Sequence, residues 1–284
     1  MKTVLVTGAT GALGKAVTQY LYKQGGDNIV TTGRSGKGTD FKLDITDNIK
    51  LKKIIDQVRP DLIIQLAATF THNFDDAYAV NVHANRQLLE LMQHSYKGTR
   101  VLLVGSAAEY GVIEAEENPI SEDHALNPVS VYGLTKVWQT QLAGFYSRHG
   151  VDVVVARVFN LKGKGLSEKL FVGRLQKQID AVLSGQQSVI ELGPLSATRD
   201  YISTKDAALQ LFDIAEFGES GHVYHVASGK PVVMRELLKD TLNEYGLDFS
   251  IVHEAEEKSN RSGYDVPVIY ADMNHTLRLT DNQL

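Results

Sequence analysis

The amino-acid sequence predicts an α/β fold in which a doubly wound parallel sheet carries a smaller C-terminal lobe. Two observations indicate the sheet: short β-branched runs alternate with longer helical patterns over the first 160 residues, and these runs are apolar throughout. A strand that is apolar on both faces must be covered on both faces, so we expect helices on each side of the sheet. The alternation becomes less regular after Asn160, which indicates the start of the lobe.

The elements of the first part follow one another without a linker, as strand–helix–strand units with right-handed crossovers do. The predicted strands are Thr3–Thr7, Asn28–Thr32, Leu62–Leu66, Arg100–Val104 and Val151–Val158. The predicted helices between them are Gly14–Gln24, Asn48–Gln57, Asn81–Ser95 and Val131–His149. Beyond Asn160, the predicted elements are Glu168–Leu183 and Thr204–Glu216 as helices, and Val189–Leu192 and Val223–Val226 as strands. Residues 254–284 are polar and give no pattern for a helix or a strand.

Composition limits the classes of function. The 284 residues carry a net charge of -5, which argues against a general electrostatic grip on nucleic acid. There are no cysteines, so disulfides and thiolate metal sites are excluded, and the histidines lack ligand spacing, so no metal site is predicted. No apolar run reaches the roughly 18 residues of a membrane span, and no targeting leader precedes the first strand. We therefore expect a cytoplasmic protein without a nucleic-acid or membrane partner.

A glycine-rich turn, Thr7-Gly8-Ala9-Thr10-Gly11-Ala12-Leu13-Gly14, joins the first strand to the first helix. The first glycine allows a tight turn, the second lets the backbone approach a pyrophosphate, and the third lets the helix pack on the strand. Free N–H groups at the helix start can bind the phosphates. The turn predicts a Rossmann dinucleotide site with contacts from Gly8, Thr10, Gly11, Ala12 and Leu13. A P-loop is excluded, because Gly14-Lys15 is followed by alanine and not by a metal-binding hydroxyl.

The residues after the second strand bear on the choice of dinucleotide. Arg34 and Ser35 follow Gly33, where an acidic residue would bind the ribose 2′-hydroxyl of NAD. An arginine beside a hydroxyl suits the 2′-phosphate of NADP, so NADP(H) is favoured while NAD(H) remains open. Asp44 and Ile45 are expected near the adenine.

The sequence also predicts which parts of the chain bind the dinucleotide and which bind the substrate. Residues 1–160, together with about 200–227, are expected to bind the dinucleotide. Residues from about 161 to 199 and from 228 to 284 are expected to form a substrate-binding lobe. Open α/β sheets bind ligands outside the carboxyl ends of their strands, so the lobe should close over that crevice.

A catalytic set is predicted from three residues. Tyr132 and Lys136 are four residues apart on a predicted helix and therefore share one face. The lysine ammonium should stabilise the phenolate and lower the tyrosine pKa, so that Tyr132 can exchange a proton with a carbonyl oxygen. Ser106, at the end of the predicted strand Arg100–Val104, is placed to hold that same oxygen.

These motifs together resemble the extended short-chain dehydrogenases/reductases, the NAD-dependent epimerase/dehydratase family. The resemblance extends over nearly the whole chain and rests on four landmarks: Thr7–Gly14, Ser106-Ala107-Ala108-Glu109-Tyr110-Gly111, Tyr132-Gly133-Leu134-Thr135-Lys136 and Arg157-Val158-Phe159-Asn160. It implies that Ser106, Tyr132 and Lys136 are catalytic, with Tyr132 and Lys136 also touching the cofactor. It further implies cofactor contacts from Leu66, Ala67, Ala68 and Asn81, and a homodimer that pairs the helices Asn81–Ser95 and Val131–His149.

The resemblance is greatest to the GDP-4-dehydro-6-deoxy-mannose reductases, through the run Leu192-Gly193-Pro194-Leu195-Ser196-Ala197-Thr198-Arg199-Asp200. Pro194 and Lys164 depart from that pattern. Arg199 offers a bidentate fork for the diphosphate of a nucleotide sugar. By resemblance, Asn160 and Arg261 would also bind substrate, and Arg174 and Lys162 are weaker candidates.

Three functions therefore remain open. The first is NADP(H)-dependent reduction of a 4-keto-6-deoxy sugar on a nucleoside diphosphate, with GDP favoured and Tyr132 as proton donor. The second is a nucleotide-sugar 4-epimerase that retains NAD. The third is a non-catalytic dinucleotide-binding regulator, which has no reason to keep the serine, tyrosine and lysine. Dehydration is not expected, because Ala107 and Ala108 stand where family dehydratases carry an Asp-Glu pair.

Overall fold

The computed structural model describes residues 1–255 and 266–281. Its first part contains β1 (Thr3–Thr7), α1 (Ala12–Gln24), β2 (Asn28–Gly33), β3 (Phe41–Lys42), α2 (Asn48–Val58), β4 (Leu62–Gln65), α3 (Phe74–Tyr78), α4 (Ala84–Ser95), β5 (Arg100–Ser106), α5 (Val131–Ser147) and β6 (Val153–Val158). Its second part contains β7 (Asn160–Lys162), α6 (Phe171–Leu183), β8 (Ile190–Leu192), β9 (Thr198–Ser203), α7 (Thr204–Phe217), β10 (Val223–Val226), β11 (Pro231–Val233), α8 (Met234–Glu244), β12 (Val252–Glu254), β13 (Val268–Ile269) and α9 (Asn274–Asp281).

Seven strands form the central sheet, in the order β10-β6-β5-β4-β1-β2-β3. Every pairing within it is parallel. The chain moves outward from β1 in one direction through β2 and β3, and then in the other direction through β4, β5 and β6. The predicted doubly wound fold is thus confirmed, with its topological switch point between β1 and β4.

The central sheet is buried on both faces, as its apolar strands predict. Val4 and Val6 belong to a core with α1 and α7, whereas Leu5 between them belongs to a second core with α2, α4 and α5. Successive side chains of a strand point to opposite faces, so a single apolar strand contributes to both cores. Because β1, β4 and β5 run parallel, their carboxyl ends lie at the same edge of the sheet.

The second part builds a smaller sheet around β9. Strands β7 and β13 pair with β9 in parallel and β11 pairs with it in antiparallel orientation, while β8 pairs with β12 separately. Buried residues of α6 and α8, among them Leu175, Ile179 and Leu238, form a separate core there. None of the helices in the described part of the chain is long and apolar enough to cross a membrane.

The structure differs from the predictions at one helix boundary, and it adds elements where no pattern was found. The predicted helix Asn81–Ser95 begins earlier, at Phe74, and the chain passes through a wider π-type turn at Ala79–His83, which includes Asn81. The polar C-terminal segment is not without structure, since it supplies β13 and α9. Helix α9 lies against α7 and β10, and buries mainly Thr276, whose hydroxyl donates to the His225 carbonyl at 2.7 Å. Because so few residues of α9 face inward, its sequence shows no helical repeat of apolar residues.

Candidate active site

The glycine turn lies between β1 and α1 and is closely packed. Gly8 has a φ of +64°, which disfavours any other residue there, and a Cβ at Gly8 would come within 2.8 Å of the Ala67 nitrogen. A Cβ at Gly14 would come within 2.3 Å of the Gly8 carbonyl oxygen. These two glycines therefore perform the roles that the sequence predicted, a tight turn and close packing of the helix on the strand.

The start of α1 remains available to a ligand. Gly11 occupies the cap position, and in the described chain no side chain caps it. A Cβ at Gly11 would approach one atom, the Gly8 carbonyl oxygen at 3.5 Å, and otherwise faces open space. Thr10 and Gly11 are exposed, and Ala12 and Leu13 are half-buried. A concave turn with uncapped amides at a helix start is suited to an anion such as a pyrophosphate.

The residues predicted to choose the dinucleotide lie together at the end of β2. Arg34 and Ser35 are exposed just beyond this strand, and the amide of Leu43 donates to the Gly33 carbonyl at 3.0 Å. Asp44 therefore lies beside Arg34. Hydrogen bonds from the backbone and side chain of Thr46 hold the pKa of Asp44 below its usual value, and Arg34 lowers that pKa further. Ile45 is buried.

The loop after β4 connects the glycine turn to α5. The amides of Leu66 and Ala67 donate to the Thr7 hydroxyl at 3.2 and 3.3 Å, and Ala68 next to them is exposed. The buried Asn81 amide then fixes the loop: it bonds both backbone groups of Thr69 at 3.0 Å and donates to the Thr135 hydroxyl at 3.0 Å. These partners use the Asn81 side chain to hold the loop, and its contact with a cofactor stays a prediction.

The same loop reaches the predicted proton donor. The ring of Phe70 lies against the ring of Tyr132, with their centroids 4.5 Å apart. The Ser106 side chain, at the end of β5, lies close enough to Tyr132 to lower the pKa of its phenol. Ser106 is held in turn, since its hydroxyl accepts from the Ala108 amide at 3.2 Å. The glycine turn, the loop after β4, the end of β5 and the start of α5 thus meet at one edge of the sheet. Phe70 is a member of this site that the sequence did not predict.

Lys136 occupies the next turn of α5 and is buried. Its ammonium lies 5.9 Å from the centroid of the Tyr132 ring and donates to the Val104 carbonyl at 2.7 Å and to Gln139 at 2.8 Å. Burial lowers the pKa of Lys136 to about 8. The serine, tyrosine and lysine therefore lie together, as predicted.

The expected direction of the Tyr132 pKa was wrong. Burial of the phenol raises its pKa above the usual value, and the nearby Ser106 side chain offsets this only in part. The physical reason is that the phenol lies against the Phe70 ring and is withdrawn from water. Desolvation of the charged form therefore exceeds any stabilisation of the phenolate.

Comparison with known proteins agrees with this arrangement. The sequence pattern of the NAD dependent epimerase/dehydratase family matches residues 4–227, which include all but the first residue of β1, the glycine turn and the serine, tyrosine and lysine. The chain belongs to this family. It is thereby an extended short-chain dehydrogenase/reductase.

The names of two relatives describe enzymes that act on nucleotide sugars. The chain is 26% identical over 259 residues to the GDP-6-deoxy-D-mannose reductase of Pseudomonas aeruginosa, covering 88% of this chain and 83% of that protein. It is 25% identical over 257 residues to the dTDP-6-deoxy-L-talose 4-dehydrogenase (NAD(P)(+)) of Kitasatospora kifunensis, covering 87% and 80%. The structure of RMD from Pseudomonas aeruginosa complexed with NADPH superimposes with a TM-score of 0.84 at 22% identity, covering 99% of this chain and 92% of that one.

An ion pair beneath the candidate active site was not predicted. Glu109, in the turn after Ser106, pairs with Arg157 on β6. Its carboxylate also accepts from the Ser106 amide at 2.8 Å and from the Thr140 hydroxyl at 2.8 Å. The sequence offered only the two separate landmarks that contain these residues, and no pattern joined them.

The predicted substrate residues are distributed around β9. The Asn160 amide donates to the Asp200 carbonyl at 3.2 Å, and Arg199 donates to the carbonyls of Thr198 at 2.9 Å and Pro267 at 3.4 Å. Arg199 lies near the buried Tyr201. Burial raises the pKa of Tyr201 to about 12, and Arg199 and the weaker candidate Arg174 both oppose that rise. Arg261 lies outside the described residues.

Asp200 is a structural residue in this arrangement. It is fully buried, and its carboxylate accepts from the amide and hydroxyl of Ser228 at 2.8 and 2.7 Å, and from the amides of Gly229 at 2.8 Å and Ala271 at 3.3 Å. It therefore joins β9 to the loop after β10 and to the C-terminal segment. This fixes the strand from which Arg199 extends.

Proposed function

We propose that this chain reduces a 4-keto-6-deoxy sugar attached to a nucleoside diphosphate, with NADPH as reductant and with a GDP-linked sugar as the favoured substrate. The observation that carries the proposal is the meeting of Ser106, Tyr132 and Lys136 at the edge of the sheet where the glycine turn also lies. The two relatives named above, a reductase and a 4-dehydrogenase of 6-deoxy sugars, support this substrate class.

The residues of the turn fit a dinucleotide. Gly11 leaves open the space that a Cβ would fill, and the amides at the start of α1 are uncapped. Leu66, Ala67 and Ala68 would line the other side of the cofactor site, since Ala67 lies directly against Gly8. Arg34 and Ser35 would hold a 2′-phosphate, and this supports NADP over NAD.

When bound, NADPH supplies a hydride to the keto carbon. Tyr132 donates its phenolic proton to the carbonyl oxygen, and the hydroxyl of Ser106 holds that oxygen by a hydrogen bond. Because burial raises the pKa of Tyr132, the phenol is protonated at neutral pH, as a proton donor must be. The ammonium of Lys136 stabilises the phenolate that remains.

The surroundings of Ser106 argue against dehydration. Ala107 and Ala108 carry no acid or base, and Glu109 is buried and already bonded to Arg157, Thr140 and the Ser106 amide. On the substrate side, Asn160 and Arg199 would bind the sugar nucleotide, with Arg199 on its diphosphate. The lobe around β9 would thus be the substrate-binding part of the chain.

We also propose that the enzyme is a homodimer that uses α3, α4 and α5. Phe74, Tyr78 and Phe145 are 44%, 41% and 47% exposed. The rings of Phe74 and Tyr78 lie edge-on to Trp138, at centroid distances of 5.9 and 6.1 Å. Aromatic side chains that form such a cluster on a surface are typical of a protein interface.

The experiment is a reductase assay at 340 nm. GDP-4-keto-6-deoxy-mannose, made in place from GDP-mannose by a separate dehydratase, is mixed with the enzyme and with NADPH or NADH. We expect net oxidation of NADPH and a GDP-linked 6-deoxyhexose as product. The dTDP- and UDP-linked keto sugars, tested in parallel, measure the preference for the base.

Tyr132→Phe and Tyr22→Phe form the matched pair for this assay. Tyr132→Phe should lower kcat at least 100-fold, because the proton donor is lost, whereas the exposed Tyr22→Phe should retain full activity. Near-normal turnover by Tyr132→Phe would refute the proposal. Interconversion of 4-epimers without net NADPH oxidation would identify a 4-epimerase instead, and dinucleotide binding without turnover of any sugar nucleotide would indicate a regulator.

A further inference from the structure

A chain of buried polar side chains connects the glycine turn to Lys136. Its members come from four different elements, and each is at most 3% exposed: Thr7, Gln65, Asn85, Gln139 and Lys136. Polar groups at this depth are costly unless they are bonded to one another. A fully bonded chain of this kind is rigid, because each side chain has a single arrangement that satisfies its neighbours.

From Thr7 to Gln139 the bonds run in one direction, and Lys136 donates to Gln139 from the other end. The Thr7 hydroxyl donates to Gln65 Oε1, and Gln65 Nε2 donates to Asn85 Oδ1 at 3.0 Å. The Asn85 amide then donates to the Asn81 backbone carbonyl at 2.8 Å and to Gln139 Oε1 at 3.3 Å. Thr7 itself accepts from the amides of the loop after β4, so both sides of the predicted cofactor site are joined to this chain.

Gln139 has one orientation that fits. Its amide nitrogen donates to the Val104 carbonyl at 3.0 Å, and this leaves its oxygen to face Lys136. The Lys136 ammonium donates to that oxygen at 2.8 Å and to the same Val104 carbonyl at 2.7 Å. Two fixed, neutral acceptors thus determine the position of the ammonium.

Within the described residues, no carboxylate contacts the Lys136 ammonium directly. The anion that acts on the ammonium is Glu109, and its charge is already paired with Arg157. Tyr132, four residues earlier on α5, places its ring centroid 5.9 Å from the ammonium. The positive charge of Lys136 is therefore held in place by neutral amides and carbonyls and is not cancelled.

We propose that Gln139 is a positioning residue for Lys136: it orients the ammonium and, because it is neutral, leaves the positive charge free to stabilise the Tyr132 phenolate. The inference rests on the proposed roles of Tyr132 and Lys136 in hydride chemistry. Gln139 is 1% exposed and bonds to Asn85, Val104 and Lys136, so we expect it to act through Lys136.

The ionisation of Lys136 can be measured without a substrate. The protein is labelled with 13C-lysine, and the Cε resonance of Lys136, identified by its loss in Lys136→Arg, is followed against pH. Gln139→Met removes one of the two acceptors of the ammonium and should lower the titration midpoint from about 8 by roughly one unit. Gln139→Glu places an anion at the same position and should raise the midpoint.

Gln141→Met and Gln141→Glu are the matched controls, since Gln141 is exposed on the same helix. A midpoint in the Gln139 variants that moves no more than in these controls would overturn the inference. Should Gln139→Met not fold, Gln139→Glu decides the matter alone.

Steady-state kinetics then tests the catalytic consequence. Gln139→Glu should lower kcat about 10-fold or more with little change in the KM of the sugar nucleotide, and should move the pH dependence of kcat upward. An unchanged pH profile with a shifted lysine titration would also overturn the inference. A wild-type enzyme without turnover refutes the proposed function instead, while the lysine titration still tests whether Gln139 positions Lys136.

Discussion

Arg157 and Glu109 form an ion pair that is closed off from solvent, with side chains that are 2% and 0% exposed. Both Nη2 and Nε of the guanidinium donate to Oε2 of the carboxylate, at 3.0 and 3.2 Å. The other oxygen of Glu109 accepts from the Ser106 amide. The pair therefore fixes the end of β5, where the predicted catalytic serine lies.

Glu109→Gln should be strongly destabilising. The substitution leaves the Arg157 charge buried without its partner, and breaking a buried pair in this way costs about 3–5 kcal/mol. The free energy of unfolding, measured in urea at neutral pH, should fall by that amount. Glu168→Gln, which removes the exposed pair with Lys177, should change it by less than about 1 kcal/mol. Equal effects of the two substitutions would contradict this reading.

His225 should make the fold sensitive to mild acid. The ring is buried; its Nδ1–H donates to the Asp272 carbonyl at 2.9 Å, and its Nε2 accepts from the Tyr110 hydroxyl. Burial lowers the pKa of His225 to about 4, although the bond to Asp272 partly offsets this. Below pH 6.5 the unfolded chain therefore binds a proton that the folded chain does not. The stability contributed by His225 is complete above pH 6.5 and is lost as the pH falls toward 4.

The expected loss between pH 7.5 and 5 is about 2 kcal/mol of unfolding free energy. Glu122 also faces His225, and burial raises the pKa of this carboxyl, so the histidine must be isolated by difference. His225→Gln should flatten the pH dependence by about that amount in urea titrations, whereas the exposed His94→Gln should not. A pH dependence shared by the wild type and His225→Gln would show that other groups cause it.

Arg34→Ala should weaken NADPH binding selectively. Charge-assisted bonds to a 2′-phosphate contribute about 1.5–3 kcal/mol, so the KM for NADPH should rise roughly 10- to 100-fold while the KM for NADH changes little. Lys37→Ala, three residues away and also exposed, is the matched control. An enzyme whose ratio of NADPH to NADH efficiency stays the same in Arg34→Ala does not use this arginine to select the cofactor.

Tyr78→Glu should separate the proposed dimer. A carboxylate placed in the aromatic cluster beside Trp138 would be buried in the interface without a partner, which costs several kcal/mol. The dissociation constant of the dimer should therefore rise about 100-fold or more. Sedimentation velocity should show a dimer for the wild type and a monomer for this variant. Tyr22→Glu, on the exposed face of α1, should remain a dimer. A monomeric wild type would refute the proposed interface.

The strands of the central sheet were the most predictable part of the molecule. Each of β1, β2, β4, β5 and β6 is an apolar run that must be covered on both faces, and this property is local to the sequence. The glycine turn was equally readable, because its conformation depends on residues that are neighbours in the chain. The short strands β7, β9 and β11 escaped prediction, since three to six residues around a partner strand carry too little pattern of their own.

The sequence by itself determined the fold class and the glycine turn, and it singled out Ser106, Tyr132 and Lys136 as the candidate catalytic residues. The tertiary structure alone decided what surrounds them: the Phe70 ring on Tyr132, Gln139 on Lys136, and Arg157 on Glu109. It also reversed the expected direction of the Tyr132 pKa. The physical reason is that burial and charge pairing depend on residues brought together from distant parts of the chain, whereas a helix spacing or a turn depends only on near neighbours.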